Sequence, residues 1–184
     1  TIPDSMGVIV ETPYGDIVHT GDLKLDHEDG IPVQKEEEEF SQFKDKKVLL
    51  LMADSTNVEK PGFSIPESKV FETLEGLIRD IKGRIIIGTF SSQLERIMKI
   101  IEFAEKHGRY VVIEGRSMKT NVEIIKQLGM LKTKKGTLIT IDEMERFSPD
   151  KILILATGAQ GDDFAALMRT AMKEHKYLKI NKND

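Results

Sequence analysis

The chain has 184 residues, enough for one full α/β core or for one core plus part of another, but tight for two complete domains. It contains no cysteine, which excludes disulfides, thiolate zinc sites and cysteine nucleophiles and leaves His, Asp and Glu to hold any metal. With 31 acidic and 27 basic residues its formal net charge is -4, so bulk charge does not announce a nucleic-acid partner, although arrangement can still create a local basic groove.

Residues 7–12 (GVIVET) and 16–19 (DIVH) are short β-branched runs joined by Pro13-Tyr14-Gly15, the chemistry of a hairpin. The chain enters this hairpin almost at once and without an initiating methionine, which suggests a piece cut from a larger protein. Residues 26–47 are polar, carry four consecutive glutamates and lack apolar periodicity, so a linker or crossover is expected, with Glu36 to Glu39 as a solvated helical face.

From Val48 the pattern changes. Val48–Met52, Arg84–Gly88, Arg109–Ile113 and Lys151–Leu155 are continuous apolar runs, as expected of strands covered on both faces of a parallel sheet. Helical spacing predicts helices over residues 67–82, 92–106, 122–128 and 163–174, the last carrying Phe164, Leu167, Met168 and Met172 inward. Residues 138–141 and 177–180 read as further short strands. The alternation predicts an α/β fold: a doubly wound, mainly parallel sheet over residues 48–184, preceded by the hairpin piece (1–29) and the crossover (30–47). No apolar stretch approaches the roughly 18 residues of a membrane span, and no signal peptide opens the chain, so the expected setting is cytoplasmic and free of membrane.

Ligands of an open parallel sheet bind beyond the carboxyl ends of its strands. Here those ends read ADSTN (53–57), GTFSSQ (88–93), EGRSM (114–118) and ATGAQGDD (156–163), all polar after apolar strands. Ser55, Thr56, Asn57, Ser91, Ser92, Ser117, Thr157 and Gln160, the amides of Gly158 and Gly161, and the cations Arg96 and Arg116 suit phosphate oxygens. The spacing of Gly158 and Gly161 fits neither GxxxxGK[ST] nor GxGxxG, and Asp162 and Asp163 read equally as a helix cap and its first-turn charge. Asp54 reads as a site acid or a cap, and Asp22 as a metal ligand or an ordinary turn aspartate. His19, His27, His107 and His175 show no HxH or HExxH spacing and are expected at the surface or at helix ends; Lys132 to Lys135 read as a solvated loop.

With these residues in view, TIPDSMGVIVETPYGDIVHTGDLKLD (1–26), LLLMADSTNVEKPGFSIPE (49–67), IGTFSSQLERI (87–97), RYVVIEGRSM (109–118) and ILATGAQGDDFAAL (154–167) resemble, in order, the ribonuclease J family. That family belongs to the metallo-β-lactamase superfamily and carries a β-CASP domain. The resemblance implies that residues 48–184 are a β-CASP domain incomplete at its C-terminus and that the hairpin is the end of a partial αββα metallo-β-lactamase core. It implies catalytic roles for Asp22, as the aspartate bridging two zinc ions, and for Asp54, as the acid of the first β-CASP motif. The Thr157 to Asp162 turn matches the family's TGSQGE segment, with Ala159 for serine and Asp162 for glutamate; Gln93 and Glu95 replace residues usually Asn and His, while Arg96 is retained.

The family's HxHxDH motif and its other metal-binding and β-CASP histidines have no match in this sequence. The resemblance therefore implies a parent that hydrolyses single-stranded RNA with two zinc ions, exonucleolytically, endonucleolytically or both. It implies too that this chain is an inactive, RNA-gripping part needing the remainder of the metallo-β-lactamase core, with a homo-oligomer open to the full-length protein. A non-catalytic doubly wound module binding a nucleotide or a protein is the alternative from another class, although it leaves the Asp22 hairpin without a purpose. Another β-CASP nuclease, acting on DNA or pre-mRNA, is the alternative within the superfamily.

Overall fold

The computed structural model describes residues 5–161 and 163–180, and the chain divides into two compact units between Val70 and Phe71. In the first, β1 (Val8–Val10) and β2 (Asp16–His19) form the expected antiparallel hairpin, with Ile9 opposite Val18. Gly15 closes its turn at φ 142, where any Cβ would lie 2.8 Å from the Lys47 carbonyl, so glycine is required there.

β5 (Val48–Met52) corrects the sequence reading. It is a strand, but it pairs parallel with β2 and completes a three-stranded sheet ordered β1-β2-β5 instead of joining the later strands. All five of its residues are exposed, from 42% at Val48 to 60% at Leu49. An apolar run says that a strand wants both faces covered; it does not say which sheet the strand enters.

The segment expected to be a plain crossover is structured. β3 (His27–Glu28) and β4 (Ile31–Pro32) form a tight hairpin whose two turn residues, Asp29 (φ 50) and Gly30 (φ 85), are both left-handed. α1 (Gln34–Phe40) follows. Glu37, Glu38 and Glu39 are exposed as expected, whereas Glu36 is only 2% exposed: four consecutive residues span a full helical turn, so one of them must face inward.

α2 (Glu67–Asp80) runs across the division. In the second unit β6 (Ile85–Gly88), α3 (Leu94–Lys106), β7 (Tyr110–Glu114), α4 (Arg116–Gln127), β8 (Leu138–Ile139) and β9 (Ile152–Ala156) build a four-stranded, wholly parallel sheet ordered β6-β9-β7-β8. This is the α/β fold with a parallel sheet that the sequence predicts. Alternation along the strands sorts the core. Val111, Leu153 and Leu155 face Ile78, Ile97, Ile100, Ile101, Val122 and Ile125 of the helices, while Val112, Ile152 and Ile154 face Met144, Phe147 and Leu178 on the other side. Among the described residues no helix is long and apolar enough to cross a membrane.

Three further expectations are corrected. α5 spans only Ala166–Ala171; Phe164 precedes it and is 93% exposed, and Met172 is 56% exposed, so neither points inward. Ala165, extended at φ -70 and ψ 157, is the residue from which the helix starts, three residues later than apolar spacing suggested. Residues 177–180 form no strand, although Leu178 is fully buried, and the 138–141 strand is cut to two residues by a capping box in which Thr140 and Glu143 start a 3-10 turn (Ile141–Arg146).

Candidate functional site

In the first unit, Thr20 and Gly21 bring the chain out of β2 towards Asp22. The Thr20 N–H donates to Met52 O at 3.0 Å, and the Thr20 hydroxyl oxygen accepts the Asp54 N–H at 3.1 Å, so the ends of β2 and β5 are tied together. Asp54 closes the knot. Its Oδ2 accepts the Leu23 N–H at 3.1 Å, and its Oδ1 accepts the Thr56 hydroxyl at 2.6 Å and the Thr56 N–H at 2.9 Å. The Thr56 hydroxyl, then the Leu23 and Thr56 amides, hold the Asp54 carboxyl below its ordinary range, so it is a carboxylate at neutral pH.

The two acidic residues named from the sequence are thus adjacent, with Asp54 gripping the backbone directly after an exposed Asp22. Ser55, Thr56 and Asn57 are exposed on the turn beyond Asp54. Among the described residues no group of three or more His, Asp or Glu side chains converges as a metal site, so these described residues do not make up the ligand set of a zinc pair.

In the second unit, Gly88 of β6 is in register with Ala156 of β9, which is in register with Glu114 of β7. Three adjacent parallel strands therefore end at the same level, and residues 89–93, 157–161 and 115–117 leave the sheet side by side. The Thr157 N–H donates to Glu114 O and the Thr89 N–H to Ala156 O, both at 3.1 Å, so each exit is bonded to its neighbour. A Cβ on Gly88 would lie 2.5 Å from Leu167 Cδ1 and 3.7 Å from Ala159 Cα, so the glycine turn folds over the end of β6.

Within this edge the sequence-named residues divide. Arg116 and Ser117 are exposed in the first turn of the twelve-residue α4, and Gln160 and Gly161 are exposed on the glycine turn. Backbone N–H groups at the start of a helix, an arginine and a serine are donors an anion can use. Arg96 is turned to internal work: its Nη1 donates to Gln93 Oε1 at 2.7 Å, and the same oxygen accepts the Thr89 hydroxyl at 3.1 Å. The Ser91 carbonyl accepts the Asn121 side-chain amide at 2.7 Å, which anchors the Ser91-Ser92 loop to α4. Thr157 is partly buried, with its hydroxyl oxygen 3.4 Å from the Ala166 N–H. Asp162 lies outside the described residues.

A model of the ribonuclease J β-CASP domain matches residues 82–184, which contain all three of these strand ends. The chain belongs to the ribonuclease J family. It is 40% identical, over its whole length, to ribonuclease J of Corynebacterium glutamicum, where it covers 26% of that protein. It is likewise 40% identical to ribonuclease J of Thermus thermophilus (32% covered) and 35% identical to that of Helicobacter pylori (27% covered). The chain thus spans about a quarter to a third of the length of the curated relatives it matches.

Two histidines expected at the surface or at helix ends have buried side chains. His27 is 8% exposed: its Nε2 lies 2.6 Å from Ser64 O, its Nδ1 accepts the Gly30 N–H at 3.0 Å, and its ring packs on Phe63. The His175 side chain is also 8% exposed and lies 3.5 Å from Glu114. His19 and His107 stay in exposed or helix-end positions, and Lys132, Lys134 and Lys135 are exposed, as the sequence predicts. Glu114 itself was not singled out in the sequence, because an acid ending a strand looks like any polar residue leaving a sheet.

Proposed function

We propose that this chain is the RNA-gripping part of a zinc-dependent ribonuclease of the ribonuclease J type, which hydrolyses single-stranded RNA phosphodiesters in the cytoplasm. The observation that carries the reading is the register of Gly88, Ala156 and Glu114, which lines up three donor-rich strand exits along one edge of the β-CASP sheet. Arg116, Ser117, Gln160 and the amides of Gly158 and Gly161 would contact phosphate oxygens and leave base identity largely unread. Ser91, Ser92, Arg96 and Thr157 would set the shape of that edge, Arg96 through Gln93.

In the whole protein Asp22 would supply one ligand of a zinc pair. Zinc would lower the pKa of a bound water and stabilise charge on the phosphate. The described residues lack the further ligands, so the role assigned to them is to bind and orient. Asp54 would fix the backbone that presents Asp22, with Ser55, Thr56 and Asn57 on the adjoining turn. The exposed β5 strand and its sheet would be covered by the remainder of a metallo-β-lactamase core, since contiguous apolar surface of this kind is normally buried against a partner. A homo-oligomer of the whole protein is compatible with this reading.

Anisotropy of a labelled, 5′-phosphorylated single-stranded RNA, titrated with the chain in zinc at two salt concentrations and followed by sizing the RNA, tests the reading. Binding that weakens with salt while the RNA stays intact is the expected result. Absence of binding at low salt would count against the grip, and cleavage would refute the assignment of this chain to binding alone.

A further inference from the structure

Glu114 is the last residue of β7, and its buried carboxylate meets two cationic or donor groups from different parts of the unit. Oε1 accepts Lys119 Nζ of α4 at 2.7 Å, and Oε2 lies 3.5 Å from His175 Nε2, beyond the end of α5. The side chains of Glu114 and His175 are each 8% exposed, while that of Lys119 is 53% exposed, so histidine is the buried partner and lysine the wet one. The backbone of the same glutamate accepts the Thr157 N–H, the first amide of the glycine turn. Glu114 therefore touches two of the three exits of the candidate edge and is held from a third place.

The ring of His175 is fixed from its other side. Nδ1 accepts the Leu178 N–H at 3.0 Å, with the Tyr177 amide nitrogen 3.4 Å away. Leu178 is fully buried against Val112, Ile152 and Ile154. A ring nitrogen that accepts an N–H carries its lone pair there, so the proton of the neutral ring sits on Nε2, facing the carboxylate. The imidazole bridges a core-anchored backbone to a buried anion, and an anion so placed is strongly constrained to stay near its partners.

We propose that His175 is a positioning residue of this edge: through its Nε2–H and the Glu114 carboxylate it holds the Thr157 turn and the β7–α4 junction in their relative places. That such positioning governs RNA affinity rests on the reading given under Proposed function; the positioning itself does not. The rival account, in which His175 only caps the 177–178 amides, predicts the opposite pattern of substitutions. Asn keeps an acceptor where Nδ1 stands but cannot reach Glu114. Gln keeps a donor where Nε2 stands but gives up the Leu178 amide.

The test uses the 184-residue chain, with ring and backbone 15N NMR and the RNA anisotropy titration on wild type, His175→Asn, His175→Gln and Glu114→Gln. The expected results are an Nε2–H tautomer in the wild type and displaced Arg116, Ser117, Thr157 and Gly158 amides in His175→Asn and Glu114→Gln. RNA affinity should fall roughly fivefold or more in those two, the lower range of coupling between linked sites, and stay close to wild type in His175→Gln. An Nδ1–H tautomer, or amide changes confined to residues 176–179 in His175→Asn and Glu114→Gln, would overturn the proposal. Should the wild-type chain bind no RNA, the functional reading fails while the amide pattern still decides the positioning; should only His175→Asn fail to fold, Glu114→Gln decides it.

Discussion

The Thr157 side chain fills the space in front of Gly115 at the edge of the second sheet: a Cβ on Gly115 would strike it. Gly115 also sits at φ 110, a conformation that L side chains rarely adopt, so two independent penalties fall on one position. Gly115→Ala should cost about 1–3 kcal/mol, the usual range for a forced backbone conformation, read as a lower urea midpoint. Adding Thr157→Ser should restore only part of that loss, because it removes Cγ2 while the nearer hydroxyl oxygen and the φ strain both remain. Full recovery would show that packing alone selects glycine.

Arg109 is 6% exposed and spends its guanidinium on the end of α2. Nε donates to Ile78 O and Nη1 to Gly83 O, each at 3.0 Å, and Nη2 donates to Ile81 O. Burial pushes its pKa below the ordinary value, with the Asp150 charge opposing, yet an arginine remains charged at any ordinary pH. Arg109→Met would leave carbonyls at the negative end of a helix without their donor, at a cost of about 2–3 kcal/mol. For a chain of this size that is a fall in Tm of roughly 5–10 °C by calorimetry. Arg109→Lys should lose less, because one ammonium can serve only some of the three carbonyls.

How far the sequence could be read follows from these residues. β6, β7, β9 and the polar ends of their strands were legible, since apolar runs and glycine exits are local patterns. The partner of β5 was not, because sheet membership is decided by pairing that no five-residue run encodes. Asp54 and Asp22 were legible as acids after strands; that Asp54 binds the amide next to Asp22 depends on a contact 31 residues apart. Glu114 and His175 escaped for the same reason. Phe164 was misplaced because helical spacing continues back into a turn that ends only at the extended Ala165.

Glu105 gives a pH dependence with a definite sign. Its Oε2 accepts the Thr137 hydroxyl at 2.5 Å and the Lys134 N–H at 2.7 Å, and those bonds, the Thr137 one first, hold its pKa below the ordinary 4.5. A carboxyl whose folded pKa is depressed contributes stability that is fully present above its unfolded value and is lost as pH falls through the folded one. Wild type should therefore lose stability relative to Glu105→Gln as pH drops below about 4.5. At pH 7 the variant should be weaker by no more than about 1 kcal/mol, since the site is partly exposed and charge-assisted bonds there are screened. Parallel pH profiles of the two proteins in chemical unfolding would remove Glu105 from the acid response.

Arg116 separates a phosphate grip from base reading. It is exposed in the first turn of α4, beside Ser117 and next to the Gly115 exit, where the proposed grip would bring an arginine and helix N–H groups to one phosphate. A phosphate contact contributes a charge-neutralising step to binding and carries no base information. Arg116→Ala should weaken binding to poly-U and to mixed-sequence single-stranded RNA by similar factors and reduce the slope of log affinity against log salt by about 0.7, one single-strand phosphate contact. Anisotropy titrations at three or more salt concentrations measure both quantities together. An unchanged slope with a sequence-dependent loss would instead assign Arg116 to a base edge, and an unchanged affinity throughout would move the phosphate path away from the start of α4.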